Sequence, residues 1–276
     1  MSLSDSHSVG RQRTNGSPRV TFLELQSPLM SSGNWIRATL GTHLVEAWSP
    51  TVRTSAEAIL FLHDLDAIAP SQQAHWRGIL EASPVPVICP LAGRSWWLSL
   101  PTAEFPEGGP LGWVRSQVVP WIEQSFHVQP PRIGLIGIGM GGSGALNLAY
   151  RAARQFPVVA AISAAVDFHR YQPSEPALSE VFESVEAARQ ETATLHLHPL
   201  NWPLFQRIAC HPADPFWYEG CERLASKLGS SGIPFDLETV TVPAFERDLY
   251  ESQQLRLSVD YVLQNMASAA RQLGVV

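Results

Sequence analysis

The run Ile133-Gly-Leu-Ile-Gly-Ile-Gly-Met-Gly-Gly-Ser-Gly-Ala-Leu146 constrains the fold more than any other stretch. Its first six residues are apolar or glycine without alternation, which reads as a strand buried on both faces. The glycines that follow permit a tight turn, and the chain then enters an apolar helix start. Similar apolar runs recur at residues 58–62, 85–89, 158–162 and 205–210, each bounded by polar, Gly or Pro residues. Helical spacing lies between and after them. Leu111, Val114, Val118, Ile122 and Phe126 share one face, as do Leu255, Val259, Val262, Met266, Ala269 and Leu273. Strands alternating with helices predict a doubly wound, mostly parallel α/β fold with its ligand site at the carboxyl ends of the strands.

Two further stretches refine this outline. Short apolar segments across residues 35–48 flank Gly41-Thr42 and predict an antiparallel hairpin at the edge of the sheet. Residues 169–204 contain Pro173, Pro176, Pro199 and Pro203 with one helical stretch at 181–189, and predict a small cap-like excursion over the carboxyl edge. Residues 1–18 are rich in Ser, Gly, Asn and Arg and lack the apolar core of a secretory signal, so they read as a flexible tail. That leaves residues 19–276 as one domain, and a cytoplasmic location is expected.

Composition excludes some partners. A net charge of −6 with almost no lysine argues against nucleic acid. The longest strongly apolar run, 158–166, is about half of what a membrane-spanning helix needs, so no span is expected. Cys89, Cys210 and Cys221 are odd in number and show no pairing pattern, which predicts buried free thiols.

The strand, turn and helix start at 133–146 form the setting of a hydrolase nucleophile elbow, whose pattern is G-x-S-x-G. Here the five positions are Gly137, Ile138, Gly139, Met140 and Gly141. The frame is present, and the attacking side chain is absent, because glycine at 139 has nothing to attack with.

Several other segments accompany the elbow. A strand ending at Leu62 runs into His63-Asp64-Leu65-Asp66, Trp96-Trp97 lies further on, and Asp214-Pro215-Phe216-Trp217 follows a later strand. Together they resemble the α/β-hydrolase superfamily, and within it the esterase group that includes S-formylglutathione hydrolases and related carboxylesterases. The resemblance covers roughly residues 35–272. It implies an α/β-hydrolase fold with Gly139 at the nucleophile position and Asp214 at the triad acid. The histidine position falls at Ala244, Phe245 or Glu246, with Phe245 at its centre. No histidine occurs after His211. Backbone N–H groups at Leu65 and Met140 would form the oxyanion hole, and His63, Asp64, Trp96, Trp97 and His211 would border the pocket.

With nucleophile and base both substituted, the expected protein is a catalytically inactive relative that binds a small ester or carboxylate ligand or a partner. Two alternatives stay open. One is an active ester or thioester hydrolase with a rearranged site, using water or Ser143 with His211 and Asp214. The other is a structural or interaction subunit whose old pocket is filled. Members of the family often self-associate, so a homo-oligomer is also an expected state.

Each remaining candidate has a plain structural explanation beside the functional one. Ser143 should lie one turn into the helix and pack there. His63 and Asp64 either shape their loop or touch a ligand. Trp96 and Trp97 either pack or wall an apolar pocket. His196-x-His198 has a metal-like spacing without a third ligand, and suits a polar strand of the cap. No cofactor or metal is expected.

Overall fold

The structure, a computed structural model, describes residues 32–239 and 245–274. The stretch read as a tail, residues 1–18, lies outside the described residues. β1 (Gly33–Leu40) and β2 (His43–Pro50) form the expected hairpin. β3 (Ala58–Leu62), α1 (Ala74–Glu81), β4 (Val87–Pro90), α2 (Gly109–Trp113) and α3 (Val119–Phe126) follow. Next come β5 (Ile133–Ile138), α4 (Met140–Arg151) and β6 (Val158–Ile162). The cap contributes α5 (Pro176–Ser179) and α6 (Val185–Gln190), and the chain ends with β7 (Phe205–Ala209), α7 (Tyr218–Ser230), β8 (Asp236–Glu238) and α8 (Arg247–Gln272).

The eight strands form one sheet in the order β1-β2-β4-β3-β5-β6-β7-β8. β2 pairs antiparallel with β1 and β4, and every other pair is parallel. This is the α/β-hydrolase architecture. Helices cover both faces, which is why the central strands are apolar at successive positions rather than alternate ones. In β5, Ile133 and Leu135 join the core under α2, α3, α4 and the cap, while Ile136 and Ile138 join the core under α1 and α8. The α8 stripe is buried as spaced, from Leu255 through Val259, Val262 and Met266 to Ala269.

Four local expectations need correction. The helix read across 111–126 is broken by a π-turn at Val114–Val118, where the Val119 N–H reaches the carbonyl of Val114. Pro120 explains the break: it has no N–H, and its ring crowds the carbonyl four residues back. The helix read at 181–189 begins only at Val185, as α6, with the Ser184 hydroxyl capping it by accepting from the Ala187 N–H at 3.1 Å, and the short α5 is a separate turn ahead of it. The polar strand read at 196–198 is a 3₁₀ turn at Ala193–Leu195 followed by an isolated bridge between His198 and Asn201. The run at 85–89 enters the ladder only at Val87, after Pro86.

Register positions the site. Leu62 of β3 pairs with Gly137 of β5, so the loops after these strands leave the carboxyl edge side by side. Gly141 brings the two closer still, since a Cβ there would collide with the Leu62 carbonyl.

Candidate functional site

Residue 139 joins β5 to α4 with φ +53° and ψ −115°, a left-handed conformation that suits glycine. Its N–H donates to the Ile162 carbonyl and its own carbonyl accepts from the Ala165 N–H, both at 2.9 Å. The space beside it is not empty. A Cβ built on residue 139 would lie 2.5 Å from Oδ2 of Asp64 and nearer still to its Cγ and Oδ1. The Asp64 carboxylate therefore stands in the volume a nucleophilic side chain would take.

Backbone donors hold that carboxylate. The Met140 N–H donates to Asp64 Oδ1 at 2.8 Å, and the Leu65 N–H also hydrogen-bonds the group. These are the two donors assigned above to an oxyanion hole, and the protein's own carboxyl group occupies them. Position 139 supplies no side-chain cap for α4, so Asp64, 76 residues away from Met140, satisfies its first N–H and meets the positive end of its dipole. Burial raises the Asp64 pKa, and the Met140 and Leu65 N–H groups and the charge of Arg247 act against that rise.

His63 shapes this loop. Its Nε2 accepts from the Ala92 N–H at 3.1 Å, so Nδ1 carries the proton and donates to the Asp64 carbonyl at 2.8 Å. Burial lowers its pKa and keeps the ring neutral. The Trp97 indole N–H donates to the His63 carbonyl at 3.1 Å. Trp96 is buried against Phe168, Tyr171 and Trp217. Both tryptophans pack inside the protein, each with positive φ.

Asp214 lies in the loop between β7 and α7. Its Oδ1 accepts from the Phe216 and Trp217 N–H groups at 2.9 and 3.1 Å. Its Oδ2 faces Nη2 of Arg247 at 3.6 Å. Arg247 opens α8, one residue beyond the span read for the histidine, and the spacing rules did not single it out. Its guanidinium also lies 3.3 Å from Oε1 of Glu251 and rests about equally over the rings of Phe216 and Phe245, at 5.9 and 6.0 Å. A guanidinium stays protonated and cannot accept a proton.

Glu251, one helical turn on, is almost fully buried. Its contact with Arg247 would lower its pKa, yet the pKa is pushed up to about 8, by burial first and then by the negative charge of Asp64. One arginine therefore faces Asp214, Glu251 and the field of Asp64, and burial favours the protonated form of Glu251. The only sign of this in the sequence is the i,i+4 spacing of Arg247 and Glu251.

The structure does not bring the other candidates together. Ser143 is buried, with its hydroxyl unpartnered among the described residues. His211 accepts from the Ala213 N–H at 3.0 Å and lies between Phe245 and Tyr250, with ring centroids at 4.9 and 5.3 Å. Ala244 lies outside the described residues, and Glu246 is exposed at the start of α8. His196 Nε2 contacts Arg151, and His198 Nδ1 accepts from the Leu200 N–H. No group of three or more His, Cys, Asp or Glu among the described residues is placed to hold a metal ion.

A family model described as "Putative esterase" matches residues 83–227, more than half of the chain. The chain belongs to this esterase family. The match runs from the residues before β4, through the elbow and cap, into α7. No curated protein matches the esterase-family chain. Solved structures share its fold. The substrate-bound fluorophosphonate-binding serine hydrolase F of Staphylococcus aureus has a TM-score of 0.70 at 16% identity, over 84% of this chain and 98% of that one. An S-formylglutathione hydrolase from the same organism gives 0.69 at 13%, over 84% and 98%. The S-formylglutathione hydrolase of Agrobacterium tumefaciens gives 0.64 at 15%, over 88% and 97%. At these identities the likeness speaks for the fold alone. No helix among the described residues is long and apolar enough to cross a membrane.

Proposed function

We propose that this esterase-family protein is silent as a serine hydrolase and that its former catalytic centre is a closed structural junction. The observation that carries the reading is the Asp64 carboxylate, which fills the space beside Gly139 and accepts from Met140 and Leu65. An acyl substrate would meet no nucleophile and no free oxyanion donors there. Arg247 on Asp214 supplies a permanent cation in place of a base. A ligand bound at the elbow, or a site rebuilt on Ser143 and His211, draws no support from this geometry. The protein's role then lies in its folded surface rather than in ester hydrolysis.

The test is a fluorophosphonate probe followed by intact-mass measurement, with p-nitrophenyl acetate turnover in parallel. Unlabelled protein and turnover at the level of buffer are expected. A stoichiometric adduct on any serine, or turnover that the probe abolishes, overturns the reading.

A further inference from the structure

The end of the sheet opposite the elbow carries an open cleft of about 610 Å³. It lies between the π-turn and the segments that lead into β5 and β6. Gly139 is at the far end of β5, and at about 3.3 Å per residue the two places are roughly 20 Å apart. The cleft is therefore separate from the esterase site.

Its lining is unusual in charge. Arg115 and Arg154 both face it, and no carboxylate does. Elsewhere the described arginines are mostly neutralised: Arg37, Arg77, Arg94, Arg151, Arg170, Arg189, Arg207, Arg223 and Arg247 each contact an acid. The side chains of Arg115 and Arg154 make no hydrogen bond or ion pair among the described residues. Two guanidiniums without an acid partner in one concavity, on a chain of net charge −6, favour an anion there.

The neutral part of the lining has two characters. Ser116, Gln129 and Gln155 offer further hydrogen bonds, whereas the half-buried Val119 and the rims of the buried Pro131 and Phe156 form an apolar side. The π-turn places Arg115 and Ser116 here. Such turns widen the helix locally and recur at functional positions. The volume lies within the range of small-molecule sites.

We infer that this cleft binds a small oxyanion that carries an apolar group, with Arg115 and Arg154 on the anionic head and the Val119, Pro131 and Phe156 side against its body. Guanidinium forks suit carboxylate and phosphate alike. The inference does not rest on the silent-esterase reading, because no residue of that site takes part.

The test is isothermal titration calorimetry of the full chain with phenyl phosphate and with benzoate, and with inorganic phosphate and benzyl alcohol as controls. Saturable binding of at least one aryl anion is expected, tighter than inorganic phosphate and absent for benzyl alcohol. A phosphate-selective site favours phenyl phosphate, and a carboxylate-selective one favours benzoate. Arg115→Ala and Arg154→Ala should each weaken binding about tenfold, the loss of one charge-assisted contact. The double variant R115E/R154E should abolish it, with R115Q/R154Q in its place if charge reversal unfolds the protein. Asp64→Asn should leave the affinity unchanged. No saturable binding of either aryl anion, equal binding of benzyl alcohol, binding that survives the double variant, or binding that depends on Asp64 would each overturn the inference.

Discussion

Asp64 and Gly139 depend on each other. The carboxylate fits because residue 139 has no Cβ, and it is held because α4 begins there with an unsatisfied N–H. Gly139→Ser should cost about 1–3 kcal/mol from the left-handed backbone alone, and more from collision with Asp64. In an Asp64→Gly background that second part is removed, so the serine penalty measured by urea denaturation should shrink. Equal penalties in the two backgrounds would contradict the coupling. Glu251 gives a pH signature. Its folded pKa of about 8 lies above the value of an unfolded glutamate. The unfolded chain thus releases this proton first, and the group costs stability progressively as pH rises from about 4.5 to 8. Below that window it costs nothing. Glu251→Gln should remove this slope, so the variant gains on wild type across the window, by roughly 3–5 kcal/mol at about 1.4 kcal/mol per pKa unit. Parallel stability curves for the two proteins between pH 4.5 and 8 would refute it.

At the scale of elements, the long apolar repeats were the legible part. The strands at 58–62, 133–138 and 158–162 and the α8 stripe are read from the chain because burial on one or both faces imposes a period on many residues at once. The α7 helix carries the same signal in Cys221, Leu224, Ala225 and Leu228, whereas β8 is three mostly exposed residues defined only by pairing with β7. The π-turn depends on one proline, too small a mark to displace a five-residue apolar repeat. Within the site, the missing serine and histidine were plain in the sequence. The tenants of their places were not, because Asp64 reaches Met140 across 76 residues and Arg247 meets Asp214 only once α8 docks. That docking can be tested on its inner stripe. Met266 is buried, and its sulfur stands against Gly134 of β5. Met266→Ala should destabilise the protein by about 2–5 kcal/mol in chemical denaturation, and a loss below 1 kcal/mol would mean that α8 packs less closely than described.

On the scale of the whole molecule, two cores on opposite faces of one sheet hold the fold together without covalent staples. Cys89, Cys210 and Cys221 are free and buried. A thiol reagent such as dithionitrobenzoate should therefore find no fast-reacting sulfur in the native protein and three after denaturation, and reductant should not move the melting temperature. A fast native thiol would point to an opening of the core around β4 or β7. The pairing of Asp64 with Gly139 also bears on the protein's mutational neighbourhood. A serine cannot return to 139 until Asp64 has gone, and without that serine the loss of Asp64 only uncaps α4. An imidazole placed at Asp214 would also compete with Arg247, the cation that faces this buried carboxylate. Each step toward a serine-hydrolase triad is unfavourable until another has been taken, so under the proposed reading the fold would act as a ratchet against that chemistry.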